Sequence, residues 1–88
     1  MLGLQHRYAE AEQLSREVLA DRHRLLGDDH PDTLTSRATL ARLAARQDRR
    51  AEAEGLYRQV IADRTRVLGS GHPDTAAIRD EFAQLLAS

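Results

Sequence analysis

Apolar residues return at steps of three and four along most of the chain. After Pro31 the series Leu34, Arg37, Leu40, Ala41, Ala44 keeps to that spacing, and from position 50 onward Ala53, Leu56, Tyr57, Val60, Ile61, Val67 and Leu68 form a second stripe. This periodicity predicts amphipathic helices and no strand. The punctuation agrees. Pro31 suits a first helical turn because its missing N–H has no partner there. Asp32 and Asp74 follow where the helix dipole favours negative charge. Gly27 and Gly69 are expected to stop the helices before them. The first run ends near Gln47, and Asp48 is the expected N-cap of the next. Glu12 and Arg16, like Glu54 and Arg58, form i,i+4 pairs in the favourable order.

The pattern occurs twice. "HPDT" stands at 30–33 and again at 72–75, a separation of 42 residues (72 − 30). Under that shift "AEAEQLSREVLADRHRLLG" at 9–27 overlies "AEAEGLYRQVIADRTRVLG" at 51–69, and roughly half of the compared positions are identical. A fixed period of this length marks a stacked-repeat architecture. The expected order is a second helix of a partial repeat over 7–26, a complete repeat over 31–68, and a first helix of another partial repeat over 74–87, within one domain spanning 1–88. A short loop inside the complete repeat makes its helices antiparallel neighbours.

Composition narrows the function classes. Eighty-eight residues hide only about 60–65% of their surface, so the core must be thin. The net charge of −1 gives no electrostatic reason to expect nucleic acid or an anionic membrane. The absence of cysteine removes disulfides and thiolate metal sites and fits a reducing cytoplasm. "MLGLQHR" has no long apolar run, so neither a signal peptide nor a membrane span is expected there.

The string "DRRAEAEGLYRQVIADRTRVLGSGHPDT" resembles the 42-residue tetratricopeptide repeat of the kinesin-light-chain type. "HPDTLTSR" at 30–37 matches the string that bacterial versions carry between repeats. The resemblance covers nearly the whole chain. It implies an all-α solenoid of antiparallel helix pairs, four helices in all. The family's packing signature falls on Leu40, Ala41 and Ala44 of the first helix and on Ala53, Tyr57 and Val60 of the second. Ala44 stands where an aromatic residue is common, and Ser15 stands where Tyr57 stands one repeat later; both substitutions thin the core. The ordinary repeat has about 34 residues, and the extra length is expected to extend the second helix by about two turns.

Candidate chemistry is weak. His30 and His72 sit at equivalent positions, which helix-packing distances place about 10 Å or more apart, and no third ligand recurs beside them. His6 and His23 are lone histidines on polar faces. The carboxylates of "AEAE" lie on one helix surface and not across a cleft. Ser15, Ser36 and Ser70 lack a nucleophile-elbow context, and "LGSGH" at 68–72 lacks the lysine of a phosphate loop. "DRHR" and "DRTR" mix acids with bases, unlike a nucleic-acid stripe. No catalytic residue, cofactor or metal is expected.

Binding remains. The resemblance implies that first helices line a concave groove that accepts a peptide or partner helix. On that face fall Thr35, Ala38, Thr39, Arg42 and Arg46, then Ala77, Asp80, Glu81 and Gln84. The family string "RNNLA", whose asparagines clamp peptide backbones, is here "RATLA" and then "RDEFA", so those amides are missing. Arg42 and Arg46 are expected to meet a carboxylate on a partner; a generic solvated surface fits the same residues. Phe82, Leu85 and Leu86 would be covered by an absent partner helix, which points to self-association. Two functions stay open: a scaffold that binds a protein or peptide, as a segment of a larger bacterial regulator with a nucleotide-switched ATPase domain, or a self-assembling structural unit.

Overall fold

The computed structural model describes the backbone from Leu2 to Ser88 and the side chains from Arg7 onward. Four helices follow one another: α1 (Leu2–Leu26), α2 (Pro31–Arg46), α3 (Arg50–Leu68) and α4 (Pro73–Ala87). No strand occurs among the described residues. Each helix packs chiefly on the next in the chain, and the Cα atoms fill a slab of 40 × 34 × 18 Å. Helix α1 begins ahead of the expected residue 7, because no proline interrupts the segment before it and the backbone ladder simply continues.

The "HPDT" motif starts both α2 and α4 by the same mechanism. His30 and His72 hold extended backbone and act as N-caps: their Nδ1 atoms accept the backbone N–H of Asp32 at 3.1 Å and of Asp74 at 3.0 Å. Each imidazole thus satisfies one of the free donors of a first helical turn. Gly27 (φ +87°) and Gly69 (φ +93°) end α1 and α3 in a backbone region that a side chain would strain. Thr33 then donates its hydroxyl to the Gly27 carbonyl at 2.8 Å. Its counterpart Thr75 is buried with its hydroxyl unpaired.

The turn between α2 and α3 differs from expectation. Asp48 is not the N-cap of α3; Arg49 holds that position and makes no side-chain cap bond. Asp48 instead adopts φ +62°. Its N–H donates to the Ala45 carbonyl at 3.2 Å, and the Arg49 N–H reaches back to the Ala44 carbonyl at 3.1 Å. These two bonds form a Schellman closure of α2, with Asp48 where glycine is preferred. Aspartate is tolerated there because its short polar side chain suits the left-handed region better than most.

The core sits at the junction of α2, α3 and α4. Ala38, Ala41 and Ala44 of α2 meet Ala53, Tyr57 and Val60 of α3, and Ile78 of α4 closes the cluster. Methyl groups on both sides let the α2 and α3 backbones approach closely. Arginines then pin the helix starts: Arg22 of α1 donates to the Asp32 carbonyl at 2.9 Å, and its counterpart Arg64 of α3 donates to the Asp74 carbonyl at 3.2 Å. Glu12 ties α1 to the α2–α3 turn. It accepts from Arg16 at 2.7 Å, from Gln47 at 2.7 Å and from Arg49. These bonds, Arg16 foremost, lower the Glu12 carboxyl from its ordinary 4.5 to about 2, against a smaller opposing effect of burial.

Two outcomes follow from this geometry. Replacing Asp48 by glycine relieves the left-handed strain and should raise unfolding free energy by about 0.5–1 kcal/mol in urea titrations. Because the folded-state pKa of Glu12 is depressed, its stabilisation is full above about pH 4.5 and fades as pH falls toward 2. Thermal unfolding between pH 5 and pH 3 should therefore show a shallower loss of midpoint in Glu12→Gln than in the parent chain.

Candidate functional site

Helices α2 and α4 lie side by side on one face, joined by a bidentate ion pair. Arg42 donates from Nε to Glu81 Oε1 at 2.5 Å and from Nη2 to Oε2 at 2.7 Å. Beneath it the rings of Tyr57 and Phe82 stack with centroids 5.7 Å apart and planes at 21°, and the Arg58 guanidinium stands 5.4 Å from the Phe82 ring centre. An open depression of about 270 Å³ lies over this layer. Arg42, Arg46, Glu81 and Gln84 form its polar wall, and Ala45, Tyr57 and Leu85 its apolar floor. Arg42 holds the Glu81 carboxyl below the usual range by direct hydrogen bonding, against partial burial. Burial first, and the nearby Glu81 charge second, push the Tyr57 hydroxyl up.

Four of the nine residues placed on this face from the sequence line the depression together: Arg42, Arg46, Glu81 and Gln84. The others do not. Ala38 is fully buried in the α2–α3 seam and presents nothing to a partner; an alanine fits an open face and a helix seam equally well, so its type did not distinguish them. Thr35 is exposed, but it donates its hydroxyl to the Pro31 carbonyl at 3.0 Å. Thr39 likewise donates to Thr35 at 3.1 Å and borders a separate depression against α1. Ala77 and Asp80 are exposed elsewhere on α4. Arg42 does not wait for a partner's carboxylate, because Glu81 already supplies one; Arg46 is the arginine here with no ion pair among the described residues.

The residues assigned to self-association also divide. Phe82 and Leu85 are half-buried against the chain's own core, whereas Leu86 is exposed. Leu85 in addition lines the depression, a role its apolar character alone did not signal. Among the described residues no group of three or more His, Asp or Glu side chains is placed to hold a metal ion. His6 falls outside the described side chains. No helix among the described residues is long and apolar enough to cross a membrane.

Paired antiparallel helices, stacked at a fixed period around small residues and open along one face, define an α-helical repeat protein. The chain belongs to the tetratricopeptide repeat family, whose model matches residues 1–66. Modules of this family generally bind protein partners and are typically non-catalytic. None of the curated proteins compared matches the chain.

The Arg42–Glu81 pair is about one-third exposed on both sides, so solvent screens it and it is worth less than its geometry suggests. A double-mutant cycle of Arg42→Ala and Glu81→Ala should give a coupling of about 0.5–1 kcal/mol in urea unfolding.

Proposed function

We propose that this chain is a non-catalytic protein–protein interaction module whose α2–α4 face takes a short peptide or partner helix. The observation that carries it is the depression over Tyr57 and Leu85. An apolar floor there lies beside an unpaired cation, Arg46, and an exposed amide, Gln84. Such a floor accepts an aliphatic or aromatic side chain. Arg46 accepts a carboxylate and Gln84 a backbone group. The ligand class is therefore an acidic segment with an apolar anchor. Glu81, which stands on this wall in place of a family asparagine, carries no amide, which favours side-chain recognition over backbone clamping.

The 42-residue period and "HPDTLTSR" support assignment to the kinesin-light-chain type and to a scaffold segment of a bacterial regulator working in the cytoplasm. In that reading α1 is the second helix of a partial repeat, α2 and α3 a complete repeat, and α4 the first helix of a third.

Fluorescence anisotropy with labelled acidic–apolar peptides tests this. Arg46→Ala and Gln84→Ala should each weaken a bound peptide by about threefold to tenfold, with the loss from Arg46→Ala shrinking in high salt. Peptides that bind both variants as well as the parent chain would place recognition on another surface.

A further inference from the structure

The internal duplication supplies a template for what covers each helix face. On α3, Val60 is fully buried under α2; its counterpart on α1, Val18, is 43% exposed. Leu14, the counterpart of half-buried Leu56, is 62% exposed. The opposite face shows the same contrast. On α2, Ala38, Ala41 and Ala44 are buried under α3, whereas their counterparts on α4, Asp80, Ala83 and Leu86, are exposed. Among the described residues, then, α1 lacks the helix that α2 provides to α3, and α4 lacks the helix that α3 provides to α2. Since α4 is itself the sequence copy of α2, and α1 the copy of α3, each uncovered face is the counterpart of the other's missing partner.

We propose that a second copy of this chain docks its α4 into the groove formed by α1 and α2, head to tail. The receiving groove is an open depression of about 180 Å³ bordered by Leu14, Val18, Arg22 and Thr39. Two features match beyond hydrophobicity. The volumes compensate: Ser15 of α1 replaces the bulky Tyr57, while Leu86 of α4 replaces the small Ala44. The charges also match. Within one copy, Arg37 of α2 donates to Asp63 of α3 at 3.1 Å. The counterparts are Arg79 on α4 and Asp21 on α1, both preserved and of opposite sign. Asp80, which has no ion pair among the described residues, brings a further carboxylate to a groove bordered by the Arg22 guanidinium. A contact of this kind joins two different surfaces, so it closes into a ring or continues as a chain. Its apolar and charged contacts do not involve Arg46, the cation on which the peptide-binding reading rests, so its failure leaves that reading standing.

Sedimentation equilibrium of the 88-residue chain over micromolar to high-micromolar concentrations tests the contact. Average mass should rise with concentration, and Val18→Asp and Leu86→Asp should each weaken association by about tenfold or more. Both side chains are exposed in the single copy, so helix content by circular dichroism should not change. Should either variant lose helix, Asp21→Arg and Arg79→Asp carry the test. Each sets like charges against each other and should weaken association about threefold, while an equimolar mixture of the two restores opposite charges at every junction and should recover it. A monomer mass at all concentrations overturns the proposal. So does association that none of these changes weakens, or charge variants that the mixture fails to rescue.

Discussion

Ala38, Ala41 and Ala44 on α2 meet Ala53, Tyr57 and Val60 on α3, so α2 contributes nothing larger than a methyl group to the buried centre of this seam. The close approach this allows is the constraint on which the rest of the molecule depends. It sets the separation of α2 and α3, and so fixes where Tyr57 emerges between α2 and α4. Tyr57 then supports the stacked Phe82, which holds α4 at a distance where Arg42 reaches Glu81 with both donors. The floor and wall of the open depression are therefore consequences of small side chains a layer below. A larger residue in the seam would push α3 outward and strain the packing by roughly 1–3 kcal/mol before any surface residue was touched.

Polar contacts play a second part, at the ends of the helices. A four-helix chain with so thin a core leaves many backbone donors and acceptors near water. Imidazole caps at His30 and His72, and arginine bonds to the Asp32 and Asp74 carbonyls, serve the starts of α2 and α4. Arg50 does the same at the far end, donating to the Leu85, Leu86 and Ser88 carbonyls at 2.8–3.2 Å. Most of the surface ion pairs add little, since both partners are hydrated. Glu12 is the exception, because donors from three residues, one on α1 and two in the α2–α3 turn, converge on one carboxylate.

Much of this was legible in the sequence because the chain contains its own comparison. Helix stops at Gly27 and Gly69, and starts at Pro31 and Pro73, are written twice and mean the same thing both times. What failed involved residues whose type permits two roles. Asp48 fits an N-cap as well as a left-handed closing position, and only the reach of the Arg49 N–H to Ala44 separates them. Ala38 fits a groove as well as a seam. Arg42 looked available until α4 brought Glu81 beside it, thirty-nine positions along the chain. The uncovered face of α1 was accessible all the same: aligning Val18 with Val60 shows an apolar residue kept where only the second copy has cover.

Because each helix leans mainly on its successor, nearly all stabilising contacts join segments close in the chain. Little loop entropy is lost in forming them, which favours rapid folding. The α2–α3 hairpin, with the most extensive packing, is suited to form first and to open last. Amide exchange should accordingly be fastest toward the two ends and slowest around Ala41 and Val60, a gradient of opening along the stack.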